Sequence, residues 1–455
     1  MPDTLRLLIR WAKSKRVPTW PTLALLAIIL VSLDLRVQNV LHTVVDHPIR
    51  ADALEYVAYA WNLHEHGVYS RKMTPPGEAP QSDALRPPGY PLFLYAVLGS
   101  RPDYSDLRRL LVIQALLSTA TVVLTFLLAR GFLSVTPALL ATSLTAISPH
   151  IVIMNVYVLT ETLFTFLLVL AVWLMLMAEK GRIAWSWAGF ALGAALLTRP
   201  TLQYFIAPLV VFVFLCKERR EAIRTSALLI AGVFIVFGPW IVRNIVTLGT
   251  ATDDTLMIGT LHHGSYPGLM YNDDPQTLAI PYRFDPQTPE ITRSITSVLA
   301  HIKENFLAHP ARYLKWYLFE KPIYLFKWNN IEGMGDIFLY PVLSSPYSYL
   351  PHFRLSRLLM KETHVLLMLL GLLGSVWIWL PRRYLALPDH SLFAARLLSV
   401  LIWYYIAVHI AGAPYPRYSI PLRPFVYIFA MTTLFFLYLH GREWFLRWRV
   451  IRVRR

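Results

Sequence analysis

The chain has 455 residues, of which 56% are hydrophobic and only 15% charged, and its mean hydropathy is +0.46. That balance excludes a soluble globular domain, whose water-facing shell needs more charge, and points to a protein wrapped in lipid. The formal charge of +16 calls for no nucleic acid partner, because Lys and Arg gather where the loops of a membrane protein meet the cytoplasm.

The chain opens with Arg6, Arg10, Lys13, Lys15 and Arg16 ahead of an apolar stretch with no small-residue cleavage site. This predicts a cytoplasmic basic terminus over 1–19 and an uncleaved first span. Apolar runs over 21–33, 110–129, 156–178, 222–245, 363–380, 392–410 and 425–440 are mostly long enough to cross a hydrocarbon core. Shorter pieces at 136–147, 185–197 and 201–216 add spans if tilted or interrupted. The predicted fold is an all-α polytopic membrane protein with about ten transmembrane helices, within a range of roughly 8 to 13. The single cysteine, Cys216, sits in an apolar run and carries no disulfide or metal hypothesis.

With the amino terminus inside, alternation also puts Lys180 with Arg182, the basic cluster over 217–224, Arg382 with Arg383, and the tail over 441–455 on the cytoplasmic face. Two long segments then fall outside. The first, 41–106, interrupts an amino-terminal transmembrane module over 20–248. The second, 249–361, carries one or two surface helices and no separate domain, and precedes carboxy-terminal spans over 362–440. External loops of that size usually carry function.

Within the first loop, Tyr56, Tyr59, Ala60 and Leu63 recur at helical spacing and Gly67 follows as a C-cap, which predicts an amphipathic helix lying on the membrane surface. Asp52 begins it. With Glu55 it resembles a capping box, so a capping role stands beside a catalytic one. The prolines of Arg86-Pro-Pro-Gly-Tyr-Pro91 forbid regular helix and predict a rigid elbow that holds Arg86 at the interface, either to grip a phosphate or to snorkel to lipid headgroups. Glu161 falls at the outer end of a span, where a carboxylate is costly unless it faces the interior. Arg199, Arg243 and Arg417 fall on the same side. Four arginines against Asp52 and Glu161 predict an anionic partner, for which a lipid phosphate is suited, although an ion pair within the protein is open for each of them. In the second loop the turn Tyr271-Asn-Asp-Asp-Pro275 precedes an amphipathic stretch over 309–328, and the loop residues Tyr282, Trp316 and Trp328 read equally well as interfacial anchors or as pocket residues.

These residues resemble a known family, the polytopic glycosyltransferases of the dolichyl-phosphate-mannose protein mannosyltransferase and aminoarabinose transferase type, with the GT-C fold. The similarity rests on Asp52-Ala-Leu-Glu-Tyr56, Arg86-Pro-Pro-Gly-Tyr-Pro91, Leu159-Thr-Glu-Thr-Leu-Phe164, Leu197-Thr-Arg-Pro200, Pro239-Trp-Ile-Val-Arg-Asn244 and Arg417-Tyr418. The resemblance implies an inverting transfer from a polyprenyl-phosphate-sugar donor to a hydroxyl-bearing acceptor on the extracytoplasmic face of a plasma or bacterial inner membrane. It implies Asp52 as the base, Glu161 as a second catalytic-site carboxylate that orients acceptor or sugar, and donor or acceptor contacts from Tyr56, Arg86, Tyr90, Arg199, Arg243, Arg417 and Tyr418. Asp52 is followed by Ala53 where many relatives carry a second acidic residue, so no metal is assigned. His262, His263 and Asp273 with Asp274 in the second loop could form a divalent-cation site, but such loop residues are more often solvated. A secondary transporter, a lipid-binding scaffold and a ligase of lipid-linked glycans are the rival readings, and the polar motifs gathered at one membrane face count against the transporter.

Overall fold

The computed structural model describes residues 19–75, 77–99, 103–381 and 389–453, and the side chains of all of these except 389–390 and 440–453. The basic amino terminus, Arg382 with Arg383 and the basic side chains of the tail, which carry part of the expected orientation, lie outside the described residues and side chains.

The main helices in chain order are α1 (Trp20–His42), α2 (Asp52–His66), α3 (Gly89–Val97), α4 (Tyr104–Ala129), α5 (Val135–Ile147), α6 (Pro149–Ile153), α7 (Glu161–Glu179), α8 (Trp185–Thr198) and α9 (Ile206–Cys216). They continue as α10 (Arg219–Leu248), α11 (Thr255–Gly264), α12 (Ile295–Ala308), α13 (Pro310–Lys315), α14 (Lys321–Leu325), α15 (Pro351–Trp377), α16 (Asp389–Ala411) and α17 (Arg423–Val453). Seven helices among the described residues are long and apolar enough to cross a membrane, and eight if the pair bent by 46° at the break before Pro149 is one span. The apolar helices α8 and α9 have 14 and 11 residues, short of the roughly 20 that a straight crossing takes. The chain is therefore a multi-pass membrane protein, and about ten crossings require both short helices to cross as well.

Helix α1 shows why these segments fold as they do. Its buried residues Ser32, Leu35, Arg36, Asn39 and Val40 recur three and four apart, whereas Leu23, Leu26, Leu30 and Val31 are exposed. The polar stripe faces inward and the apolar one outward, the reverse of a helix in water. Arg36 is fully buried and donates to Ser118 Oγ at 2.8 Å, to Ala146 O at 2.9 Å and to Thr145 O at 3.3 Å. It thereby supplies donors to the last carbonyls of α5, where the chain breaks before Pro149. Helices α8 and α10 meet almost backbone to backbone. A Cβ at Gly189 would lie 2.1 Å from Leu229 O, and one at Gly232 would lie 2.1 Å from Ser186 O, so larger side chains are barred from this seam.

The second long segment is integrated into the same body. Trp316 packs in a cluster with Leu269, Ala279, Ala413 and Tyr415, and Trp328 belongs to the main core. Both indoles are buried, which corrects their reading as interfacial anchors. Tyr282 is half-buried and its ring stands edge-on to His263. The expected amphipathic stretch is not one helix but α13, a π-helical turn at Trp316–Glu320 and α14. Lys321 explains the break: its buried ammonium donates to Ile410 O at 2.6 Å and Gly412 O at 2.9 Å, capping the end of α16. Two short strands, β1 (Val44–Val45) and β2 (Val342–Ser344), pair antiparallel and tie the first loop to the second. No alternation in the sequence announces them.

Candidate active site

Asp52 is the first residue of α2, and the capping box foreseen as one alternative does not form. The capping position is Ala51, whose side chain makes no cap hydrogen bond, at φ 47° and ψ −125°. A non-glycine residue there is strained and persists only where its surroundings over-determine it. The surroundings do so. Strand β1 is paired, Asp46 N donates to Pro341 O at 2.9 Å, Tyr340 OH donates to Arg50 O at 3.4 Å, and the Arg50 guanidinium lies 5.5 Å from the Tyr340 ring centroid. The late segment thus sets the angle at which Asp52 leaves the loop.

The Asp52 carboxylate is held on both sides. Arg86 Nη2 donates to Oδ1 at 2.8 Å and Arg417 Nη2 donates to Oδ2 at 3.0 Å. Each guanidinium is also held at its Nε edge, Arg86 by Glu55 Oε2 at 2.7 Å and Arg417 by an ion pair with Glu332 Oε2 at 3.2 Å. Burial alone would raise the Asp52 pKa, but Arg417 and Arg86 outweigh it and bring the carboxyl from the usual 3.8 down to about 2. Burial pushes the Glu332 carboxyl up, against Arg417.

Arg86 is placed by the proline elbow. Its backbone carbonyl accepts from Tyr69 OH at 2.9 Å, and its ring neighbour is Tyr56, whose centroid lies 5.4 Å from the guanidinium. Gly89 ends the elbow. A Cβ there would fall 2.6 Å from the carbonyl carbon of Leu197, so only glycine lets this turn abut the end of α8, where Arg199 follows. Arg199 donates to Glu161 Oε1 at 3.1 Å, and the ring of Tyr418 lies 5.0 Å from the Arg199 guanidinium and 5.2 Å from that of Arg417. Glu161 is 2% exposed, and its Oε2 has no hydrogen-bond partner.

Asp52, Tyr56, Arg86, Glu161, Arg199, Arg417 and Tyr418 all line one cavity of about 360 Å³, together with Tyr204, Trp240, Asp253, Asp254 and Met257. Its size suits a small polar ligand group. A carboxylate and the ends of two guanidinium groups within hydrogen-bond reach of one another can accept a proton and hold an oxyanion.

Two expected members stand elsewhere. Tyr90 is fully buried and donates to Gln114 Oε1 at 2.9 Å, within the core behind Tyr56. Arg243 donates to Asp83 O at 2.8 Å and Tyr69 O at 3.2 Å, and it packs on Tyr69 and Trp240. It straps the first loop to α10. Glu55 and Glu332 were not foreseen as site residues, because a carboxylate in a loop or on an exposed helical turn has no local signature. The expected excess of positive charge is also corrected: Arg86, Arg199 and Arg417 meet Asp52, Glu55, Glu161 and Glu332, so an anionic ligand competes with carboxylates already in place. Among the described residues no three His, Cys, Asp or Glu side chains come together as a metal site. His262 is bonded to Tyr266, His263 to Tyr415, and Asp273 is paired with Arg312.

Residues 87–242 match the family described as dolichyl-phosphate-mannose-protein mannosyltransferase. No curated protein matches the sequence. Among solved structures, the oligosaccharyltransferase of Archaeoglobus fulgidus tethered with an acceptor peptide aligns over 93% of this chain and 50% of its own, with 16% identity and a TM-score of 0.51. The archaeal oligosaccharyltransferase AglB from Archaeoglobus fulgidus in complex with an inhibitory peptide and a dolichol-phosphate aligns over 91% and 50%, with 15% identity and a TM-score of 0.52. The chain thus spans about half the length of these structures. At this identity the likeness establishes the fold, a GT-C-type helical bundle.

Proposed function

We propose that the chain is a membrane glycosyltransferase that moves a sugar from a polyprenyl-phosphate carrier to a hydroxyl acceptor on the extracytoplasmic side. The observation that carries this reading is the meeting of the Asp52 carboxylate with the Nη ends of Arg86 and Arg417 in one cavity of a GT-C bundle. The match of residues 87–242 to a mannosyltransferase family and the dolichol-phosphate in the archaeal structure support the donor class.

In this reaction Asp52 accepts the proton of the acceptor hydroxyl as its oxygen attacks the anomeric carbon. The bond from that carbon to the phosphate oxygen breaks, and the carrier phosphate leaves with the electron pair. Arginines suit the leaving group because a guanidinium presents paired donors to phosphate oxygens and cannot lose its proton. A single displacement inverts the anomeric configuration. Glu161, with Oε2 free beside the cavity, orients a sugar or acceptor hydroxyl, and α2 lies along the membrane surface.

The test is Asp52→Asn, which keeps the side-chain shape and removes the base. Transfer from an extract of lipid-linked sugars, followed by mass spectrometry, should fall by about 10²- to 10⁴-fold while expression is unchanged. Full activity in this variant would overturn the role of Asp52. A lipid-binding scaffold predicts no sugar transfer by the wild-type chain at all.

A further inference from the structure

The two arginines that flank Asp52 each face an outer carboxylate at Nε and give Nη2 to Asp52, but Arg86 Nε donates to Glu55 Oε2 at 2.7 Å, whereas Arg417 Nε is ion-paired with Glu332 Oε2 at 3.2 Å without a hydrogen bond. The outer carboxylates come from different parts of the chain, Glu55 from α2 and Glu332 from the turn after α14. Neither lines the cavity, whereas Asp52, Arg86 and Arg417 do. With Nε turned to an outer carboxylate, the end-on pair Nη1 and Nη2 is what each guanidinium keeps for a paired grip on an oxyanion, and Asp52 already occupies the Nη2 half of both.

We propose that a phosphate entering this cavity takes the Nη2 ends of Arg86 and Arg417 from Asp52, with Glu55 and Glu332 acting as positioning residues that keep both guanidinium groups in place during the exchange. This rests on the donor class read above. A carboxylate bonded to two arginines is a poor proton acceptor, because both oxygens are engaged and its charge is neutralised. Phosphate takes over two charge-assisted bonds, and Asp52 regains its basicity in the same step. The base is thus unmasked by the donor, and donor binding precedes productive acceptor binding. An empty site would not activate water or a stray hydroxyl.

The exchange makes opposite demands on carboxylates that simple electrostatics treats alike. Asp52 competes with the phosphate, so Asp52→Asn should bind phosphate more tightly. Glu55 and Glu332 orient the arginines, so Glu55→Gln and Glu332→Gln should bind it more weakly although each also removes a negative charge.

The experiment is calorimetric titration of the full chain in lipid nanodiscs with farnesyl phosphate, a short polyprenyl monophosphate, with farnesol as the control for the chain alone. The expected result is a dissociation constant about tenfold lower in Asp52→Asn and about threefold to tenfold higher in Glu332→Gln and Glu55→Gln. Asp52→Ala serves as the second variant should Asp52→Asn not fold, with the same direction expected. Tightening in all three positions would reduce the arrangement to general charge repulsion and overturn the proposal, as would unchanged affinity in Asp52→Asn. A tighter-binding Asp52→Asn that still transfers sugar would uphold the exchange and overturn the base instead. Failure of wild type to bind farnesyl phosphate better than farnesol would overturn both.

Discussion

At the residue scale the site is a chain of alternating charges whose central carboxylate is shared. Because Asp52 is depressed from 3.8 to about 2, its contribution to stability is fully present above about pH 4 and is lost as the pH falls through about 2. The difference in melting temperature between wild type and Asp52→Asn should therefore be constant from pH 7 to about 4 and shrink below that; a difference that already fades at pH 6 would contradict the arginine pairing. Arg86 offers a second test, since lysine keeps the charge but cannot serve Glu55 and Asp52 with separate nitrogens. Arg86→Ala should weaken farnesyl phosphate binding by more than tenfold and Arg86→Lys by less, and equal affinities in wild type and both variants would remove Arg86 from the site.

Seven residues of the lining were legible as single residues. Asp52, Tyr56, Arg86, Glu161, Arg199, Arg417 and Tyr418 each sit beside a proline, a helix end or an apolar run where a polar side chain needs a reason. What the pattern does not encode is direction. Tyr90 lies in the same motif as Arg86, yet the first turn of α3 points it into the core, and Arg243, one turn past Trp240, turns toward the first loop. Glu332 was illegible because its meaning depends on Arg417, 85 positions later in the chain.

At the scale of elements, close backbone approach does much of the positioning. The elbow at Gly89 abuts the end of α8, and a methyl group 2.6 Å from the Leu197 carbonyl carbon has no side chain to push aside. Gly89→Ala should displace Arg86 relative to Arg199 and cost about 1–3 kcal/mol of stability. Sugar transfer should fall by at least tenfold in a protein that still purifies in detergent, and unaltered transfer would show that the elbow has slack. The seven long apolar helices among the described residues follow from apolar runs and were foreseen. The strands β1 and β2 were not, since five residues drawn from two loops carry no periodicity and pair only because the bundle brings them together.

For the whole molecule, the proposed orientation makes the arginine-lined cavity extracytoplasmic and the end of α9 cytoplasmic. The single native cysteine, Cys216, is exposed there, so Cys216→Ser provides a clean background. In it, Glu218→Cys should react with a membrane-impermeant maleimide only in inverted vesicles, and His47→Cys, at a position whose side chain is 82% exposed, only in right-side-out ones. Labelling of both from one side would refute the alternation of spans.

The antiparallel strand pair has a consequence for biogenesis. The loop that aims Asp52 is latched by residues made about 300 positions later, and its second arginine comes later still, after most of the spans have been threaded. A nascent chain would thus hold the acid long before anything can aim it, and chemistry would begin only once insertion is almost over.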